Sequence, residues 1–164
     1  MTKEQYIKIT EPLRNDPEKT KKIVSMNQVL TSVVFMVYPL YIAVLYGEKN
    51  PILLKVILVP AISFVLVTIL RRIINEPRPY EKFDIPPVIE KETKGKSFPS
   101  RHVFSIFVIG VTIFYSLPGP GIVIGLIGVA MAIVRVLGGV HEPRDVIAGA
   151  AIGILCGVIG FYLI

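Results

Sequence analysis

Four long stretches of this 164-residue chain contain no charged side chain. They are Ile23–Gly47, Val56–Leu70, Val103–Val134 and Val146–Ile164, and all the charged residues, 18% of the chain, lie between or before them. A helix of a soluble protein needs a polar outer face, which these stretches lack. The pattern therefore predicts helices surrounded by lipid within a single domain, and it argues against a water-soluble fold.

The cysteine content and the charge distribution exclude several kinds of site and partner. Because Cys156 is the one cysteine, a disulfide scaffold and a cysteine-based zinc site are excluded, and its apolar surroundings indicate a packing residue. The net charge of +6 comes from basic residues that flank the apolar stretches. Since no aromatic-interleaved basic surface is present, we expect the lipid bilayer as a partner and no nucleic acid.

The apolar stretches predict five membrane spans, because one crossing takes about 20 apolar residues. The third stretch is too long for one helix, and the Pro and Gly residues of Leu117–Gly121 predict a turn that divides it. We predict an all-α integral membrane bundle over residues 23–164, preceded by an N-terminal interfacial segment, residues 1–22. The five predicted transmembrane helices are residues 23–47, 52–70, 99–117, 121–137 and 143–164.

Glycines recur at helical spacing in the last predicted span. Gly149, Gly153 and Gly157 lie four residues apart and therefore on one face of a helix. In lipid, such rows allow two helix backbones to approach closely. We interpret this row as a packing surface and not as a ligand site.

The remaining polar residues meet on one face of the predicted bundle. Because the spans alternate in direction, the end of the second span, the start of the third, the end of the fourth and the start of the fifth lie on the same side of the membrane. These junctions carry Arg71, Arg78, Ser100, Arg101, His102, Arg135, His141 and Asp145.

This set of residues suits phosphoryl transfer. Arginines and the free amides of a helix N-terminus bind phosphate oxygens. Two histidines from different helices could divide the roles of nucleophile and proton donor. Asp145 follows His141 by one helical turn and could hold the imidazole in the tautomer that leaves its attacking nitrogen free. The alternative is that the arginines are interface anchors and the histidines are solvated.

Three motifs in this region resemble the signature of the type 2 phosphatidic acid phosphatases, a family that also includes the vanadium haloperoxidases. They are Arg71 with Arg78-Pro79 after six residues, then Pro99-Ser100-Arg101-His102, then Arg135 with His141 and Asp145 at the spacings of the family. The chain departs from the signature at three positions. Arg71 stands in place of lysine, Arg101 in place of glycine, and Val134 in place of serine.

The resemblance implies a role for each matched residue. His141 would attack phosphorus and form a phosphohistidine, Asp145 would orient it, and His102 would protonate the leaving oxygen and then activate water. The phosphate oxygens would be held by Arg71, Arg78, Ser100, Arg101 and Arg135. The resemblance implies no metal and no other cofactor.

Together these observations predict a multi-pass protein of the cell membrane that hydrolyses the phosphomonoester or diphosphate head group of a lipid. Phosphatidic acid, phosphatidylglycerophosphate and undecaprenyl diphosphate would all present the same group to the pocket, so the motifs leave the lipid open. The apolar composition disfavours a soluble haloperoxidase. A non-catalytic bundle that binds or transports lipid phosphate is the alternative, although it would not need the paired histidines and Asp145.

The distribution of Lys and Arg bears on the side of the membrane that the site faces. With five spans, the face with the predicted site carries 16 of the 18 basic residues, and the other face carries Lys49 and Lys55. Cytoplasmic loops are enriched in Lys and Arg, so this count favours a cytoplasmic site. The resemblance points the other way, because members of that family mostly act on the outer or lumenal face.

Overall fold

The computed structural model describes residues 1–164, and all its regular elements are helical. In chain order they are α1 (Lys3–Arg14), α2 (Pro17–Gly47), α3 (Leu53–Ile74), α4 (Pro79–Phe83), α5 (Arg101–Phe114), α6 (Pro118–Leu137) and α7 (Pro143–Val158). The last helix continues as a π-helical turn over Ile159–Leu163. The predicted all-α bundle is confirmed.

The molecule is a multi-pass membrane protein. Helices α2, α3, α6 and α7 with its π turn are long and apolar enough to cross a bilayer. Large apolar side chains cover the outside of the bundle, and Phe35, Leu66 and Leu126 are each more than half exposed. Such a surface would drive aggregation in water and is stable in lipid.

Helix α5 is shorter than the span predicted for residues 99–117. Its 14 residues extend about 21 Å, less than the ~30 Å hydrocarbon core. It is also the innermost helix, with Val103, Phe104 and Ile113 almost completely buried among its neighbours. The irregular chain before α5 is covered by protein, since Ser97, Pro99 and Ser100 are buried, and its polar backbone groups find partners there. Residues 114–120, at and beyond the other end of the helix, are exposed.

The helix starts differ from the predicted ones in two places. Helix α2 begins at Pro17, six residues before the charge-free stretch, because the Asp16 side chain accepts hydrogen bonds from the amides of Glu18 and Lys19. The residues predicted to form a turn, Leu117–Gly121, instead largely form the first turn of α6, which starts at Pro118. Proline is well suited to that position, since an N–H there has no helical partner.

The glycine row of α7 packs against α5, as predicted. A Cβ atom added at Gly149 would lie 2.6 Å from the Ser100 carbonyl oxygen, and one at Gly153 would lie 2.6 Å from that of Phe104. One at Gly157 would collide with the Val111 side chain. The close contact brings the first turns of α5 and α7 together, and these turns carry predicted site residues.

Candidate active site

Six of the eight predicted site residues form a buried polar cluster at one end of the bundle. Arg71 lies in the last turn of α3 and Arg135 in the last turn of α6, while Asp145 lies in the first turn of α7. All six are less than 9% exposed: Arg71, Arg78, Ser100, Arg135, His141 and Asp145. The start of α5 is tied to α7 directly, because the Ser100 amide donates to the Asp145 carbonyl at 2.8 Å.

The Asp145 carboxylate holds the His141 ring. His141 Nδ1 lies 3.4 Å from Asp145 Oδ2. The same oxygen accepts from the Ser97 hydroxyl at 2.6 Å and from the Glu142 amide at 3.1 Å. A carboxylate on the Nδ1 side favours the tautomer that carries its proton there, which leaves a lone pair on Nε2. The pair thus makes the contact that its four-residue spacing predicts.

The surroundings of His141 keep its imidazole neutral. Burial lowers the pKa of His141 to about 3, the charges of Arg135 and Arg78 act in the same direction, and the hydrogen bond with Asp145 opposes them. Because this pKa lies far below 7, the ring is unprotonated at neutral pH. A nitrogen nucleophile must be unprotonated to attack phosphorus.

Two arginines of the cluster hold backbone segments that lead to the site. Arg71 donates to the carbonyl oxygens of Lys96, Ser97 and Pro99. Arg78 donates through Nε to Gly95 at 3.2 Å and through Nη1 to Val140 at 3.1 Å. They therefore brace the chain before Ser100 and before His141, and they add two positive charges to the pocket.

Arg135 and Ser100 carry buried polar atoms that have no protein partner. Arg135 Nη1 donates to Asn27 Oδ1 at 3.0 Å, whereas its Nε and Nη2 and the Ser100 hydroxyl are unpaired. Arg135 is only 2% exposed. An unsatisfied buried donor costs about 1–3 kcal/mol, and more when charged. An oxyanion such as phosphate is the ligand that would satisfy these donors.

Arg101 and His102 are less buried than these six residues and lie on the wall of an apolar groove. The Arg101 side chain is exposed, and its guanidinium lies 5.3 Å from the centre of the Phe64 ring. This outward orientation accommodates a side chain where the resembling family has glycine. His102 is half-buried in the first turn of α5 and lines the same groove.

This groove lies between α2, α3 and α5 and has a volume of about 660 Å³. Its wall is largely apolar, with Tyr38, Ile57, Phe64 and Ile109 among the lining side chains. Phe35, which also lines it, is 74% exposed on the outer face of α2, so the groove opens toward lipid. An apolar cavity of this kind, with basic groups at one end, fits an amphiphilic anion.

Three residues at the site were not predicted as functional from the sequence. Ser97 bonds Asp145, and its position just before the Pro99 motif was the available signal. Asn27 bonds Arg135, and a polar residue inside a charge-free span is such a signal in membrane proteins. Burial and the charges of the nearby arginines lower the pKa of Lys91 to about 8. Because charges alternate along residues 81–96, the sequence predicts a solvated loop there, and Lys91 does not stand out from its neighbours.

The acidic side chains near the site are already paired with other protein groups. Glu142 lies 3.3 Å from Lys82 Nζ and 3.2 Å from Arg144 Nε, and Asp145 is held against His141. The chain contains no group of three or more His, Cys, Asp or Glu side chains arranged to hold a metal ion.

Comparison with known sequences matches residues 52–164 to the family described as the PAP2 superfamily. One curated relative is the bacitracin transport permease protein BcrC of Bacillus licheniformis, which is 34% identical over 105 residues. That alignment covers 62% of this chain and 52% of the relative, so the chain spans about half the length of that relative.

Two solved structures share the fold. LpxE of Aquifex aeolicus superposes with a TM-score of 0.73 at 25% identity, over 96% of this chain and 92% of that one. A PAP2-type phosphatidylglycerolphosphate phosphatase of Bacillus subtilis also gives a TM-score of 0.73, at 22% identity, over 96% of this chain and 83% of that one. The helical arrangement is therefore common to all three proteins.

Proposed function

Because the chain belongs to the PAP2 superfamily, we propose that it is an integral membrane phosphatase that hydrolyses the phosphomonoester or diphosphate head group of a lipid. The observation that carries this proposal is the neutral His141–Asp145 pair beside Arg135, whose buried Nε and Nη2 have no protein partner. The pair supplies an oriented nucleophile, and the arginine supplies positive charge for a phosphate.

In the first step, His141 Nε2 attacks phosphorus and forms a P–N bond while the bond to the lipid oxygen breaks. Asp145 stabilises the positive charge that develops on the ring. His102 takes up a proton when the anionic head group binds beside it, and gives that proton to the leaving lipid oxygen. The arginines, Arg71, Arg78, Arg101 and Arg135, together with Ser100, stabilise the negative charge on the transferring group.

In the second step, water attacks the phosphohistidine. His102, now neutral, accepts a proton from the water, the P–N bond breaks, and inorganic phosphate leaves with His141 restored. The return of the proton to His102 completes the cycle, so the reaction needs no redox partner and no other co-reactant.

The groove between α2, α3 and α5 supports a lipid as the substrate. Its apolar wall suits hydrocarbon chains, and Arg101 and His102 at one end suit the phosphate to which those chains are attached. A substrate bound in this way would present its scissile bond at head-group depth without leaving the bilayer. Phosphatidic acid, phosphatidylglycerophosphate and undecaprenyl diphosphate each meet these requirements.

A bundle that binds or transports lipid phosphate without hydrolysis is the second candidate. The name of the Bacillus licheniformis relative, a transport permease protein, is the observation that favours it. Arg135 and Ser100 would serve a bound phosphate equally well under this alternative. The carboxylate-held imidazole would have no role there, and for that reason we favour hydrolysis.

Release of inorganic phosphate by the purified protein, assayed with each of the three lipids in mixed micelles, separates the two candidates. We expect turnover of at least one lipid, and its loss in His141→Ala and in His102→Ala. Asp145→Asn should lose less, because the nucleophile remains. A positioned acid or base is worth about 10²–10⁴-fold, so a histidine variant that kept more than about a hundredth of the wild-type rate would contradict the assigned role.

The proposal that turnover needs no metal ion has its own test. Turnover should continue in excess EDTA, and vanadate should inhibit it, because vanadate adopts a geometry that resembles the phosphoryl-transfer transition state. Complete loss of activity in EDTA, with recovery on addition of Mg²⁺, would show that the mechanism above is wrong.

A further inference from the structure

Each of the three carbonyl groups that precede His141 is held by a different part of the chain. The Gly138 oxygen accepts from the amides of residues 88 and 89, both at 3.1 Å. The Val140 oxygen accepts from Arg78 at 3.1 Å. The Gly139 oxygen accepts from the Tyr6 hydroxyl at 3.1 Å. This third donor belongs to α1, which lies outside the residues matched to the family, 52–164.

Tyr6 packs in the interior of the protein and not on its surface. Its side chain is fully buried, and its ring centre lies 5.4 Å from that of Phe83. Helix α1 is also attached to the loop before α5, since Arg14 donates to the Pro86 carbonyl at 3.0 Å. The Tyr6 hydroxyl lies 3.4 Å from the Ile85 carbonyl, so its single proton is directed to the nearer Gly139 oxygen.

The close contact with the Tyr6 hydroxyl requires a glycine at position 139. Its φ of +71° lies in the left-handed region, which favours glycine. A Cβ atom at this position would lie 2.6 Å from the Tyr6 hydroxyl. Burial raises the pKa of Tyr6 to about 12, so the hydroxyl keeps its proton and remains a donor over the range in which proteins are assayed.

We propose that α1 belongs to the catalytic apparatus and that Tyr6 is a positioning residue for the loop that carries His141, residues 138–142. The proposal rests on the phosphatase activity proposed above. The rate of an in-line attack depends steeply on the placement of the nucleophile, and a displacement of about 1 Å can lower it by about 10²-fold. Arg78 contacts this loop at Val140, but the side chains of Arg71 and Arg135 are held by other segments, so the loss of the Tyr6 contact should lower kcat more than it raises KM.

The test is Tyr6→Phe, which keeps the ring packing and removes only the hydroxyl. We expect kcat to fall about fivefold, the effect of one typical hydrogen bond, while KM stays within about twofold of the wild-type value. Tyr46→Phe is the matched control. The Tyr46 side chain is 75% exposed near the C-terminal end of α2, at the end of the bundle away from the site. Its hydroxyl should therefore affect neither kcat nor KM.

Amide hydrogen exchange of the detergent-solubilised proteins gives a readout that needs no substrate. Exchange over residues 138–142 should be faster in Tyr6→Phe than in the wild type and in Tyr46→Phe. A kcat within twofold of wild type would overturn the proposal, and so would a fall in kcat accompanied by an equal rise in KM. If the wild type itself released no phosphate, the proposed function would fail instead, and unchanged exchange in Tyr6→Phe would still refute the contact.

Discussion

At the scale of single residues, the proposed mechanism assigns the same positive charges two tasks, one toward His141 and one toward the substrate. Arg71, Arg78 and Arg135 are buried together with Asp145, while the other buried carboxylate, Glu142, is paired with Lys82 and Arg144, so the cluster has an excess of positive charge. That excess disfavours protonation of His141 and favours binding of an anion. In the proposed mechanism, a bound phosphate would offset the arginine charges, and the ring could then carry the positive charge that a phosphohistidine requires.

The protonation state of His141 can be observed directly, because the chain has two histidines. In His102→Ala protein labelled with ¹³C-histidine, the remaining ring should give the NMR shifts of a neutral imidazole down to about pH 4, since its pKa is lowered to about 3 from an ordinary value near 6.5. Added vanadate should raise that pKa. Titration near pH 6.5 without vanadate would mean that the ring is solvated.

Asn27 provides a neutral partner that leaves the charge of Arg135 available. Asn27→Asp would place a carboxylate about 3 Å from Arg135 Nη1, where it would compete with phosphate. We expect KM to rise at least tenfold, about 1.4 kcal/mol, with a smaller change in kcat. The control is Gln28→Glu, an identical change of charge at an exposed neighbour, which should leave KM within about twofold.

Arg101 stands at the end of the groove, where a lipid phosphate would enter. Because its side chain is exposed over Phe64, it can contact an incoming head group without rearrangement of the buried cluster. Arg101→Gly should therefore raise KM about 3–10-fold, and Arg101→Lys should recover part of that loss. Wild-type kinetics in Arg101→Gly would restrict the role of this residue to its backbone amide.

At the scale of helices, the contact between α5 and α7 sets the geometry of the site. The backbones are close enough that the glycine row leaves no space for a methyl group. The Ser100 amide is bonded to the Asp145 carbonyl at the end of this contact. A change in the separation of these helices would therefore move Ser100 relative to the His141–Asp145 pair.

Gly153→Ala tests this packing in the middle of the contact. The added Cβ would lie 2.6 Å from the Phe104 carbonyl oxygen and 3.0 Å from Phe107 Cβ, so one helix must move. We expect a loss of about 1–3 kcal/mol, seen as a lower thermal midpoint in detergent. Gly125→Ala on α6 is the control, because nothing lies within 4 Å of the added atom. Equal midpoints for the two variants would contradict the packing argument.

The sequence predicts those parts of the fold that depend on local patterns. Charge-free length identifies the long helices, and glycine spacing identifies the packed face of α7. The late start of α5 was not predictable from local patterns, because residues 97–100 are held by Arg71 and Asp145, which are distant in the chain. The motifs likewise identify the site residues that lie between positions 71 and 145. Tyr6 and Asn27 reach the site through packing between elements distant in the chain, which no motif reveals.

At the scale of the whole molecule, the basic residues are concentrated at the end of the bundle that carries the site. The buried arginines of that end, Arg71, Arg78 and Arg135, belong to the pocket, and their removal from the count of 16 leaves 13 basic residues against two at the other end. Several of the 13 lie on α1 and on the loop before α5, where most of their side chains are exposed. The pocket alone therefore does not account for the asymmetry.

This asymmetry leads us to expect a cytoplasmic site, and single cysteines can test that orientation. In a Cys156→Ala background, Glu48→Cys and Lys94→Cys place a thiol on exposed residues at opposite ends of the bundle. An impermeant thiol reagent added to intact cells should label residue 48 alone. A cytoplasmic site would meet glycerophospholipids made on that side, whereas an outward-facing site would suit a polyprenyl diphosphate recycled outside. Labelling of residue 94 alone would reverse the orientation and shift the expected substrate accordingly.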